Sequence, residues 1–181
     1  MKTVLFIVVF LAGALLSTCA SPPSRSGFWG TPSRQEFRRL FREGMQAGKD
    51  SEPTWKSIVA CIHILEPATV KDLMTHDEPA LSVLFLARPD ADLHRIISRQ
   101  LDTASRSFHA VNAAADRLAL SGNSFGACLH YAAAACISQQ KREQELCLTL
   151  AGHYAARLPG PELSGTATAI LRSINLRQHH Q

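Results

Sequence analysis

Beyond residue 20 the chain has no stretch long and apolar enough to cross a bilayer, which argues against a spanning domain in the remainder. No Asn-x-Ser/Thr triplet occurs, so nothing marks a glycosylated product. HExxH and CxxC spacings are missing, and the eight histidines are scattered. A facing pair such as His130 and His153 is too poor a ligand set for zinc, so no metal and no cofactor are expected. Charge of one sign is also scarce: the net value is +4, and setting Lys2 aside leaves +3, spread along the chain. The nearest thing to a patch is Arg34, Arg38, Arg39 and Arg42, with 34, 38 and 42 on one helix face. A solvated face explains it, and no nucleic-acid partner is expected. Alternating strand patterns are lacking as well, which leaves helical periodicity as the main structural signal.

What is present begins with an export signal. Lys2, the apolar run 4–16 and the small residues Ser17, Thr18 and Ala20 read as a secretory signal peptide over residues 1–20. Residues 21–33 are rich in Ser, Pro and Gly and cannot build a core, so they read as a tether. Within it Phe28-Trp29-Gly30 is an apolar spot. Residues 34–177 are then one helical domain, and 178–181 a frayed tail. Leu16-Ser17-Thr18-Cys19 resembles a bacterial lipobox, in which cleavage precedes a cysteine that becomes acylated. The resemblance implies a lipid on Cys19 and an outer-membrane lipoprotein facing the periplasm. Thr18 and Ala20 also suit ordinary cleavage after Ala20, which would give a secreted protein instead.

The domain reads as all-α, a bundle or helical-repeat-like array of about seven to eight helices. Its organising element is expected to be one long helix over about 91–121. Asp90 suits the N-cap and Gly122 a left-handed C-terminal cap. Ile97, Leu101, Ala104, Phe108, Val111, Ala115 and Leu118 follow at spacings of 4, 3, 4, 3, 4 and 3, a heptad seam. Such a helix would run roughly 45 Å. Before it, helices are expected over 34–47, from about 51 to the Pro67 stop, near 69–75 and near 79–87. After it come helices over about 125–138, 142–157 and 164–176, the last two separated by Pro159-Gly160-Pro161.

Gly122-Asn123-Ser124-Phe125-Gly126 matches the G-x-S-x-G nucleophile elbow and resembles that of α/β-hydrolases. A small exported serine hydrolase would use Ser124 with a downstream His and acid, such as His153 and Glu145. No Asp follows Ser124, and no strands follow to hold the partners. The other reading is a helix–helix turn with Ser124 as N-cap. The same turn resembles a tetratricopeptide repeat across about 34 residues, with Ala115, Leu118, Ala127, Tyr131 and Ala134 at the required positions. That resemblance implies a protein-binding groove containing Ala127, Tyr131 and Ala134.

Setting Cys19 aside, Cys61, Cys128, Cys136 and Cys147 would meet an oxidising compartment. Cys128 and Cys136 lie eight apart on one helix, roughly 12 Å, too far to bridge. A hairpin near Gln140 would pair Cys136 with Cys147, leaving Cys61 with Cys128; alternatively all four are small buried hydrophobes. The functional expectation is an envelope scaffold or adaptor for a protein partner, similar in size and class to the pilotins. A serine hydrolase or a secreted helical effector are the alternatives.

Overall fold

The computed structural model describes residues 31–75, 78–104 and 106–178, and every regular element among them is helical. The signal peptide, Cys19, the Phe28-Trp29-Gly30 spot and residues 179–181 lie outside the described residues. Helix α1 (Arg34–Gln46) starts on a capping box: Ser33 accepts from the Glu36 amide, and the Glu36 carboxylate accepts from the Ser33 amide. A 3₁₀ turn (Gly48–Ser51) leads into α2 (Glu52–Ile62), with Pro53 in its first turn, where no N–H is needed. Helix α2, expected to run to a Pro67 stop, instead ends at Ile62 with His63 as its C-cap, and Pro67 begins α3 (Pro67–Met74). Then come α4 (Pro79–Leu84) with a 3₁₀ extension (Phe85–Ala87), α5 (Ala91–Asp102), α6 (Phe108–Leu120), α7 (Ser124–Ile137), α8 (Lys141–Ala155) and α9 (Gly160–Gln178).

The expected long helix over 91–121 is two helices. Asp90 caps the first as expected, accepting from the Leu93 amide at 2.9 Å. Helix α5 then ends at Asp102, where the Thr103 hydroxyl folds back to the Arg99 carbonyl. Ser107 starts α6 anew, its side chain accepting from the Ala110 amide. Short hydroxyl side chains offer the backbone a local alternative to the helix ladder, and here they take it. The heptad seam survives as a pattern because both helices bury it: Ile97 and Leu101 from α5, Val111, Ala115 and Leu118 from α6.

The element at the centre is instead α7. Every residue from Phe125 to Ala135 is buried, and α4, α5, α6, α8 and α9 all pack against it. A helix apolar all round has no solvent face to offer, and α7 contains no charged residue. Its alanines allow close approach of α6 and α8, which run back along it as hairpin partners.

The N-terminal helices join this centre through Asn123, a fully buried side chain. Its Oδ1 accepts from Trp55 Nε1 at 2.9 Å, the Gly126 amide at 3.0 Å and the Ser51 hydroxyl at 3.1 Å. Its Nδ2 donates to the Gly44 carbonyl at 2.7 Å. Because an indole N–H only donates and a carbonyl only accepts, the amide has one workable orientation. Around it Trp55 meets Phe41 edge-on at 5.7 Å and Phe125 at 5.1 Å, and Gly44 leaves room for the indole against α1. The two turns also meet directly: Gly122, with φ of +79°, sits against Lys49, and Gly48, with φ of +54°, against Ser121. Both glycines occupy left-handed conformations that cost other residues.

Asn123→Ala leaves an indole N–H, an amide N–H and a carbonyl without partners, so unfolding in denaturant should show a loss of about 3–5 kcal/mol. Gly126→Ala would place its Cβ 2.8 Å from Asn123 Oδ1. The helix-propensity gain of about 1 kcal/mol is then outweighed, and a net loss of about 1–3 kcal/mol is expected. Gly152→Ala, on α8 with nothing within 4 Å of the added atom, should stabilise the same protein by about 0.5–1 kcal/mol.

Candidate functional site

Each residue of the G-x-S-x-G pattern has a place in the α6–α7 turn. Gly122 supplies the positive φ that closes α6, and the Asn123 amide donates to the Leu118 carbonyl at 2.9 Å. Asn123, rather than Ser124, is the N-cap of α7. It outcompetes the serine because its longer side chain reaches the Gly126 amide and three other groups besides. Gly126 is the residue that lets that carboxamide lie against the first turn of α7. Ser124 is the first residue of α7, half-buried and not on a strand-to-helix elbow.

The proposed partners of Ser124 are elsewhere. His153 and Glu145 lie on the exposed side of α8, where Glu145 faces Lys141 and His153 packs edge-on against its neighbour Tyr154. Among the described residues no hydrogen bond joins Ser124, His153 and Glu145. A nucleophile needs its base within hydrogen-bond reach, and here the three groups belong to separate surroundings.

The groove expected from Ala127, Tyr131 and Ala134 is filled. All three are buried in the α6–α7–α8 packing. Tyr131 donates its hydroxyl to Asp116 Oδ1 on α6 at 2.6 Å and stacks on Tyr154 of α8 with ring centroids 5.7 Å apart. Burial and the Asp116 carboxylate push its phenol above the ordinary range. Tyr131 is therefore a joint between three helices, and the small residues beside it are spacers, not a docking floor.

All four described cysteines are free thiols. Cys136 lies beside Arg177 and Asp102, where α5 and α9 end, whereas Cys147 donates weakly to Asn112 Oδ1 of α6 at 3.5 Å. The two point to different neighbours, so adjacency in the α7–α8 hairpin does not bring their sulfurs together. Cys61 and Cys128 are likewise buried and unbridged. Burial pushes the Cys128 and Cys136 thiols up to about 12, which makes them packing groups rather than nucleophiles. Among the described residues no three metal-ligating side chains converge.

What sequence reasoning missed lies between α4, α6 and α7. His130 is buried, and its Nδ1 donates to the Gly126 carbonyl at 2.9 Å. Burial, with Arg106 and Arg117 nearby, pushes the imidazole down to about 4. It lines a cavity of about 250 Å³ together with Glu78, Arg106 and Arg117 and a wall of Pro79, Ala80, Ala110, Val111 and Ala114. The signal available in the sequence was one histidine alone in an uncharged helix; the arginines come from other segments.

The lowered His130 value has a sign that can be measured. The unfolded chain takes up a proton near the ordinary 6.5 while the folded chain resists it until about 4. The contribution is therefore intact above 6.5 and lost as pH falls toward 4, by up to about 3 kcal/mol. Chemical denaturation between pH 7 and 4.5 should show this fall, and His130→Gln should flatten it.

No protein-family model matches the chain, and no curated protein or solved structure matches it either.

Proposed function

We propose that the chain is an exported, lipid-anchored envelope protein whose helical domain is a scaffold for a protein partner. The signal-like segment and Cys19 support the anchor, and the tether over 21–33 would let the domain reach away from the membrane. Among the described residues no helix is long and apolar enough to span a bilayer, so attachment in this reading falls to the lipid.

The observation that carries the scaffold reading is the groove between α8 and α9, about 500 Å³ in volume. Its floor is small, with Gly152, Ala155, Ala156, Ser164 and Thr168, and Leu171 and Leu176 stand at its side. Leu176 is 58% exposed, a large apolar side chain left uncovered beside a trough of small ones. From Ser164 to Leu176 the trough runs about 18 Å, the length of three helical turns. Its occupant in this proposal is an amphipathic helix of the partner, with a carboxylate placed to meet Arg172 at the groove. The hydrolase alternative receives no such support, since Ser124 has no base beside it.

Gly152 lines the groove and has no atom within 4 Å of an added Cβ, so a large side chain built there is directed at the groove. Crosslinking in cells should recover one stoichiometric envelope partner with the native chain and none with Gly152→Trp at equal thermal stability. Recovery undiminished in Gly152→Trp removes the groove from the account. Cys19→Ser should release the protein from the membrane fraction and remove an acyl mass from its N-terminus; an unacylated native N-terminus would favour the secreted effector.

A further inference from the structure

We infer that Trp29, in the segment ahead of the described residues, docks back onto its own domain in the pocket between α3, α4 and α5. This rests on neither the lipid anchor nor the groove between α8 and α9.

The course of the chain points to this pocket. Pro32 is buried, so the backbone already lies against the domain where the described residues begin. The next turn is fixed to the end of α3: Arg34 pairs with the Asp72 carboxylate, and Arg38 Nη2 donates to the Asp72 carbonyl at 3.1 Å. The same carbonyl accepts from the Thr75 hydroxyl at 2.7 Å, and Thr75 lines the pocket. The start of α1 therefore adjoins the pocket. An extended chain covers about 3.4 Å per residue, so the five residues from Arg34 back to Trp29 reach about 17 Å, enough to bring that side chain to the mouth.

The lining selects a side chain of this kind. At about 170 Å³ the pocket falls below the roughly 300–1,000 Å³ of small-molecule sites, and it suits one ring rather than a whole ligand or a helix. Met74, Pro79, Leu101 and Ala104 give it apolar walls, and the Met74 thioether is a favourable neighbour for an aromatic ring. Gln100, also in the lining, adds a polar demand. Its Nε2 donates to the Met74 carbonyl at 3.3 Å, while its Oε1 is buried with no hydrogen-bond partner. An orphaned acceptor is costly until a donor reaches it. A phenylalanine brings a ring without a donor, and a lysine brings a donor without a ring; an indole brings both and accepts nothing. The chain has two tryptophans, and Trp55 is committed inside the core to Asn123, which leaves Trp29.

The purified full chain, ¹³C-labelled at its methionine methyl groups, tests this in solution. The Met74 methyl should show a nuclear Overhauser contact with the Trp29 ring. Trp29→Ala, a change outside the folded domain, should remove that contact and shift Met74, while Met45, near the other end of α1, stays in place. The Trp29 indole N–H should exchange with solvent about tenfold more slowly than in the urea-unfolded chain. A Met74 methyl that is identical in the native and Trp29→Ala chains, a contact with Phe28 in place of Trp29, or an indole N–H that exchanges at the unfolded rate each overturns the assignment. So does a contact between labelled Trp29→Ala chains and unlabelled native chains, because it seats the tryptophan on a second copy.

Discussion

The carboxamide of Asn123 holds together parts of the chain that are otherwise far apart in sequence. Gly44 in α1, Ser51 in the following turn, Trp55 in α2 and Gly126 in α7 all bond to it, across separations of up to 79 residues. None of these groups can reach water, so each depends on the others being in place. The indole of Trp55 is also the middle of the aromatic cluster with Phe41 and Phe125, which makes the polar knot and the apolar core one unit. Two glycines in left-handed conformations, Gly48 and Gly122, let the two turns touch at this point. The arrangement leaves α7 enclosed on all sides and pushes every feature available for function to its periphery.

This explains why a G-x-S-x-G spacing occurs at a helix–helix turn. A tight turn into a helix needs a residue with positive φ, a side chain that caps, and a small residue beside the cap. Gly122, Asn123 and Gly126 meet those needs, and Ser124 falls between them. The G-x-S-x-G spacing is thus accounted for by backbone geometry and packing alone, with the serine left over.

Local signals were legible and non-local ones were not. The capping box at Ser33, the Asp90 cap, the Gly122 stop and the proline starts all act within one turn, so the helical class and most helix positions could be read directly. The seam from Ile97 to Leu118 misled because periodicity reports which side of a helix is buried, not whether the helix is continuous. Only the hydroxyl chemistry of Thr103 and Ser107 tells of the break. Tyr131 was legible as a helix-pairing residue but not as a buried one, since that depended on Tyr154 and Asp116 covering it. The cysteine pairing failed for a similar reason: proximity along a hairpin does not fix which neighbour each sulfur faces. His130 and its arginines were invisible as a group because they converge only through the packing of α4, α6 and α7.

With the interior occupied by the knot and by α7, the surface offers two separate features, a groove on α8 and α9 and a small cavity between α4, α6 and α7. Both depend on a rigid centre that keeps their walls in register. The most direct test of that rigidity is native-state hydrogen exchange at the Trp55 indole N–H and the Gly126 amide, the two nitrogen donors to Asn123 Oδ1. The account predicts that both exchange only with global unfolding, at the same free energy and with the same dependence on denaturant. Exchange of either through a smaller local opening, while α7 stays protected, would contradict the claim that Asn123 unites the two halves of the fold.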